Sequence, residues 1–266
     1  EPSAHNAPRP WDSVWDALFA AYVVNAPRQL ASGAPHHLRR RFAAADGDRR
    51  YGFHFVEHHL THQASAFLAA PFERCAVMTL DGRGEDATTA YGVWRDGAYE
   101  ALGEVTMPHS LGLLYEQVTS HLGFLHSSDE YKVMGLAAYG GPRFAAEVGR
   151  LVPPRGDGSF TLDLRYFRHL AEGVEMTWEE GSPTLGPLYT PRLEQLLGPA
   201  RRREDPLGQR HKDLAASMQA VFEERYFAVV RRALELAGTK RLALAGGCAL
   251  NSLANGKLFD ATGVEE

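Results

Sequence analysis

The sequence predicts an α/β fold, and three observations carry that expectation. Short apolar runs of strand length, at residues 75–80 and 241–245, each stop at a glycine-bearing turn. A helix-length stretch over 213–236 places Leu214, Met218, Val221, Phe222, Tyr226, Val229 and Val230 on one apolar stripe. A second helical stretch, starting near His58, precedes the first of those strands. At 266 residues the chain is one large domain or two small ones, long enough to bury a substantial core.

Composition narrows the classes. The chain is 44% hydrophobic and 23% charged, which is ordinary for a globular protein. A net charge of -5 argues against a general nucleic-acid binder, so Arg39-Arg40-Arg41 and Arg201-Arg202-Arg203 are expected to be solvated faces. Two cysteines, Cys75 and Cys248, imply no disulfide framework and suit a reduced, cytoplasmic setting. No apolar run approaches the roughly 18 residues of a membrane span. The first residues, Glu1-Pro2-Ser3-Ala4-His5, hold neither an initiator Met nor a signal-peptide pattern, so the chain reads as processed, trimmed or partial.

Taken in order, residues 1–10 are loop. Residues 11–26 read as a core-packing helix, with Trp11, Trp15, Leu18, Phe19 and Tyr22 at helical spacing and Asp12 or Ser13 as cap, ended by Pro27. The adjacent His36 and His37 read as surface, and residues 43–50 as a polar turn. A strand from Tyr51 to Val56 feeds the His58 helix. Strands over 75–80, 87–94 and 98–105 form a meander, with Arg95-Asp96-Gly97 as its hairpin turn. Ser110 caps a helix running to His121. Residues 142–205 read as an irregular insert, with a strand and short helix near 161–170. Gly238 ends the long helix. These segments divide the chain into an N-terminal helical segment (1–50), a first lobe (51–141), the insert (142–205) and a second-lobe segment (206–266).

Four stretches have chemistry in them. His58 and His62 stand at i and i+4, so their rings share one helix face, a spacing at which two imidazoles can hold one metal ion. Asp81 ends the 75–80 strand, where it can complete a site suited to zinc or iron(II), or act simply as a turn acid. Gly82 and Gly84 in the same turn let the backbone approach a phosphate or a metal-bound ligand. Lys132 lies by a small-residue helical turn that suits anion recognition, although most lysines are simply exposed. Gly246-Gly247, between a strand and a helix start, can contact a phosphate or nucleoside or be a plain tight turn. Asn251 then caps a helix or hydrogen-bonds a ligand.

Five stretches together resemble the NodU/CmcH-type O-carbamoyltransferases over roughly residues 50–260. They run from Glu57 to Phe67, Thr79 to Gly82, Pro108 to Tyr115, Glu130 to Gly140 and Leu244 to Asn251, in the family's order and spacing. The resemblance implies an actin-like ATPase (ASKHA) fold with ribonuclease H-like lobes, similar to the protein that makes threonylcarbamoyl-adenosine in tRNA. It implies a metal, iron(II) or another divalent ion, on His58, His62 and Asp81. It implies that Gly82, Gly84, Lys132, Gly246, Gly247 and Asn251 bind ATP or carbamoyl-adenylate, with Mg2+ as a companion ion. His59, next to a ligand and about 100° round the helix, reads as a supporting or structural residue.

The reaction so implied moves a carbamoyl group from carbamoyl phosphate, through carbamoyl-adenylate, to a hydroxyl of a small natural product, as in antibiotic biosynthesis. A YrdC-like domain makes the adenylate in such enzymes and is not found in these 266 residues. Nor is the family's opening His-Asp-Ser-type motif, or the further Asp expected after the Gly-Gly-Asn element. The chain is therefore expected to be incomplete at both ends and to need those parts for a full transfer cycle, with its general base unassigned. A homodimer is allowed by the resemblance; no nucleic acid or membrane partner is expected. The competing readings are an ASKHA ATP-binding or kinase-like protein and a non-catalytic degenerate relative.

Overall fold

A computed structural model of the chain describes residues 56–84, 86–126, 128–168, 176–179 and 182–266. The helix expected at 11–26, the His36-His37 pair, the Arg39–Arg41 cluster, the turn at 43–50 and all but Val56 of the strand from Tyr51 lie outside the described residues.

Helix α1 (His58–Phe67) leads into strand β1 (Arg74–Leu80), followed by β2 (Ala87–Arg95) and β3 (Ala98–Thr106). The three strands form the expected antiparallel meander. Asp96 and Gly97 both take positive φ in the β2–β3 turn (53° and 74°), the backbone a two-residue hairpin needs to match strand twist. Helix α2 (Leu111–His121) starts at Ser110, whose Oγ accepts from the Leu113 N–H at 3.1 Å.

Next come α3 (Glu130–Ala137), α4 (Ala145–Gly149), a 3-10 turn at Leu164–Tyr166, an antiparallel hairpin of β4 (Met176–Glu179) and β5 (Ser182–Leu185), and α5 (Pro191–Leu197). Where a strand and a short helix were expected near 161–170, the described residues to 168 make the 3-10 turn at Leu164–Tyr166 and, in place of a strand, an isolated bridge from Phe167 to Tyr189. The stretch is nevertheless built into the main core, through Val148, Leu151, Phe160, Phe167 and Leu193. Irregular backbone here carries apolar side chains without the alternation that would reveal a strand.

Helix α6 (Gln209–Ala237) begins four residues before the expected start, because His211 Nδ1 accepts from the Gly208 N–H at 3.0 Å and closes the first turn. Gly238, at φ 60°, ends it as expected. Strand β6 (Leu242–Ala245), a 3-10 turn (Gly247–Leu250), α7 (Ser252–Asn255) and α8 (Leu258–Thr262) complete the described elements.

The four-stranded sheet has the order β3-β2-β1-β6, with β6 parallel to β1. Segments 51–141 and 206–266 therefore meet in one sheet, through a pairing some 165 residues apart in sequence. Strand β1 is buried on both faces. Ala76, Met78 and Leu80 face the main core with Leu214, Met218 and Phe222 of α6. Cys75 and Val77 face the other way, onto Phe67 of α1. Phe67 stacks on Trp94 at 4.4 Å between ring centroids and on Tyr99 at 5.4 Å, fixing α1 to the sheet. Full burial of one such side chain contributes about 1.5–3 kcal/mol, so tertiary packing rather than helix propensity holds these elements.

Arg201 departs from the solvated face expected of its cluster. It is buried, and its guanidinium donates to the carbonyls of Leu122 at 2.6 Å and Asp205 at 2.5 Å. It closes the C-terminal end of α2, where unpaired carbonyls need donors. Arg202 and Arg203 are exposed as expected. Both cysteines are free thiols. No helix among the described residues is long and apolar enough to cross a membrane.

Candidate metal centre and adjoining cavity

Strand parity builds the site. Side chains of a strand alternate between faces, so Cys75, Val77 and Thr79 point toward α1, and Asp81 follows in the same register. Thr79 Oγ1 lies 2.8 Å from Nδ1 of His59, the buried histidine of α1. Two residues on, Asp81 Oδ2 lies 3.0 Å from His58 Nε2 and 2.9 Å from His62 Nε2. One helical turn separates those histidines, and their Nε2 atoms are 3.1 Å apart.

Three donor atoms thus form a triangle with edges near 3 Å. Hydrogen bonding alone explains this poorly, because both ring nitrogens already face the carboxylate and still approach each other. Histidine nitrogens and carboxylate oxygens that share one ion at bonds of about 2.0–2.2 Å are themselves roughly 3 Å apart. Two imidazoles and a carboxylate on one face suit a divalent transition metal. The residues present fit such an ion, and they are the three-residue His/Asp cluster with metal-ligand spacing among the described residues.

The electrostatics agree with the donor set. Burial pushes the Asp81 carboxyl up, but contacts from His58, the Gly82 N–H and His62 outweigh it and hold the group below its usual range. Burial, aided by neighbouring His58, lowers the His59 pKa to about 4, so that ring is neutral. The Gly82 N–H donates to Asp81 Oδ1 at 2.7 Å, leaving Oδ2 for the histidines.

The Asp81 loop is clamped from above by α2. Ser110 Oγ, besides capping α2, donates to the Gly82 carbonyl at 2.8 Å. A Cβ on Gly112 would lie 2.4 Å from the Gly82 Cα, so this approach of helix to loop requires glycine. Gly246 is held more tightly still: its φ is 99°, and a Cβ there would fall 2.2 Å from the Leu80 carbonyl oxygen.

A cavity of about 590 Å³ opens beside the triangle, lined by His58 and Asp81 together with Gly82, Gly247 and Asn251. Of the residues singled out in the sequence, these come together. Gly84 packs instead under the His59 ring. Lys132 is outside the lining; half-exposed, it pairs with Asp129 at 2.8 Å. Asn251 caps α7, accepting from the Ala254 N–H at 3.0 Å. The lining also holds Arg83, Tyr115, Glu116, Glu130, Tyr131 and Cys248, none assigned a role from sequence. Arg83 was the most legible of these, since it stands between Gly82 and Gly84.

Sheet, triangle and cavity define a mixed α/β protein with a candidate metal centre beside a ligand-sized pocket. Residues 40–266 match the family model described as "Carbamoyltransferase N-terminus", and the chain belongs to that family. It is 40% identical over 206 residues to the uncharacterized protein sll1178 of Synechocystis sp., covering 77% of this chain and 32% of that protein. It is 37% identical over 205 residues to nodulation protein NolNO of Sinorhizobium fredii, covering 77% and 27%. With nodulation protein NolO of Bradyrhizobium diazoefficiens the identity is 32% over 205 residues, covering 77% and 33%. The chain thus spans about a third of the length of the curated relatives it matches.

Proposed function

We propose that this chain is the metal- and carbamoyl-adenylate-binding part of an O-carbamoyltransferase. The observation that carries the reading is the His58–His62–Asp81 triangle at the wall of a 590 Å³ cavity, in a chain that matches a carbamoyltransferase family model. His58, His62 and Asp81 would hold a divalent ion, iron(II) on the family resemblance. Bound there, it supplies Lewis-acid chemistry toward the carbamoyl carbonyl or the adenylate phosphate.

The chain's own residues do the rest of the binding. Gly82 and Gly247 bring bare backbone to the cavity wall, where a phosphate can approach closely. Leu250 and Tyr131, both exposed at that wall, offer apolar surface to a nucleoside or an acceptor. Ser110 and the close seat of Gly112 hold the Asp81 loop still while a substrate binds. The acceptor is a hydroxyl of a small natural product, and the adenylate comes from carbamoyl phosphate and ATP through a YrdC-like domain. The mixed sheet covered on both faces supports reading the chain as part of an actin-like ASKHA domain. The free thiols suit a cytoplasmic protein.

The test is anaerobic metal analysis of the chain and of the His58→Ala, His62→Ala double variant. About one equivalent in the parent and none in a folded double variant supports the centre; equal content in the two overturns it. Carbamoyl transfer by the protein supplied with a YrdC-like domain, lost in the double variant, supports the reaction. Undiminished transfer in that variant refutes the assigned role.

A further inference from the structure

Arg83 occupies an unusual position for an arginine. It stands two residues after Asp81 and lines the same cavity as His58 and Asp81. Its side chain is only 20% exposed. Its Nε is buried and donates to no described residue. Its ion pair is with Glu116, at 3.7 Å between Nη2 and Oε2, too long for a hydrogen bond. A buried guanidinium normally has its N–H groups matched by acceptors. Arg201 shows this within the same chain, with its fork on four backbone carbonyls.

Charge around the cavity sharpens the point. Asp81, Glu116 and Glu130 line it, and Arg83 is the one Arg or Lys in the lining among the described residues. Lys132, the cation that sequence suggested for phosphate, is paired with Asp129 outside that lining. A planar, permanently charged fork beside exposed backbone of a glycine turn matches an oxyanion with several oxygens, which a phosphoryl group supplies.

We propose that Arg83 is the phosphoryl-binding residue of this cavity, with Glu116 holding its guanidinium against the wall beside the His58–His62–Asp81 triangle. The inference rests on the carbamoyltransferase reading for its ligand class, a phosphate borne by carbamoyl phosphate or by a nucleotide. The site itself is argued from Arg83 and the cavity alone.

The experiment is calorimetric titration of the 266-residue chain with inorganic phosphate, carbamoyl phosphate, AMP and adenosine. It is repeated on Arg83→Gln and Arg83→Lys, with metal content and melting temperature measured for each. Arg83→Gln is expected to weaken binding of the phosphate-bearing ligands roughly 10- to 100-fold, with metal content and melting temperature unchanged. Arg83→Lys should recover part of that loss, because it keeps the charge but not the fork. Adenosine binding should be the same in all three. Weakening confined to AMP assigns the nucleotide phosphate to Arg83; weakening for carbamoyl phosphate as well assigns both sources. The proposal is overturned if every phosphate-bearing ligand binds parent and Arg83→Gln equally, if none of them binds the parent, or if adenosine binding falls by as much as theirs. Failure of the transferase reading looks different: phosphate binding that depends on Arg83, in a protein that holds no metal and transfers no carbamoyl group.

Discussion

Gln219 of α6 and Asn251 of the Gly-Gly-Cys-Ala-Leu-Asn element face each other amide to amide, each donating an N–H to the other's oxygen at 2.9 Å. Gln219 also donates to Glu223 Oε1 at 2.9 Å and accepts from the Tyr115 hydroxyl at 3.0 Å, so all four of its hydrogen-bonding positions are used. Glu223 in turn accepts from Lys257 Nζ at 2.7 Å on both oxygens. Two of these residues, Tyr115 and Asn251, line the cavity.

Gln219→Leu leaves the Tyr115 hydroxyl and the Asn251 amide buried without this partner. The expected cost is about 3 kcal/mol of unfolding free energy, measured by urea titration. A double-mutant cycle with Asn251→Ala should give a coupling of about 1 kcal/mol or more. Strict additivity of the two changes would show that the amide pair does not act as a unit.

Arg201→Lys is the corresponding test at the end of α2. Lysine keeps the charge but has no planar fork to reach Leu122, Gly123, Arg203 and Asp205 together. A loss of about 2 kcal/mol is expected, with the change read from the urea midpoint at constant slope. A midpoint unchanged from the parent would return Arg201 to the solvated cluster that its sequence suggests.

Those two contacts mark the boundary of what the sequence reveals. The meander, its Asp96-Gly97 turn, the Ser110 cap and the Gly238 stop are local, and each rests on residues within a few positions of one another. The His58–His62 pair was also legible, because helical spacing acts over one turn; Asp81 joins it from 23 and 19 residues away, an association that the family resemblance implied. Arg201 and Gln219 were not. Arg201 reaches Leu122, 79 residues away, and Gln219 reaches Asn251, 32 residues away, and nothing in an Arg-Arg-Arg run or an amphipathic stripe distinguishes the side chain that turns inward. Pairing of β6 with β1 brought the Gly-Gly turn beside Asp81, and that contact follows from the assembled sheet rather than from either segment.

His121 gives a pH prediction. Its Nε2 faces the Gly198 carbonyl at 2.9 Å, and its Nδ1 is buried without a hydrogen-bond partner in the described structure. Burial, with Arg210 adding to it, lowers its pKa below the ordinary 6.5, although the Gly198 contact works the other way. With the folded value depressed, the unfolded chain binds the proton first as pH falls. Stability contributed by the neutral ring is therefore full above about pH 6.5 and is lost as pH falls from there toward the folded pKa. His121→Gln should flatten that part of the stability–pH curve, measured in the presence of a chelator so that the His58–His62–Asp81 cluster is constant. A slope identical to the parent's would mean that His121 does not contribute to it.

Thr79→Val tests whether the metal ligands depend on the strand beneath them. Thr79 Oγ1 meets His59 Nδ1 at 2.8 Å and donates to the Ala90 carbonyl at 3.3 Å. Valine fills nearly the same volume, so the change removes polar contacts rather than packing. It leaves a buried His59 ring without its hydroxyl partner, at a cost of about 1–3 kcal/mol. His58 precedes His59 on α1 and His62 follows by less than a turn, so loosening His59 loosens both rings against Asp81. Sites that lose their supporting contacts bind less tightly even when every ligand is present. Thr79→Val is therefore expected to weaken retention of a divalent ion against a competing chelator, while the Arg95→Ala control, distant on the same sheet, leaves it unchanged. Equal retention in the two variants would show that His58, His62 and Asp81 are placed by α1 and the Asp81 loop alone.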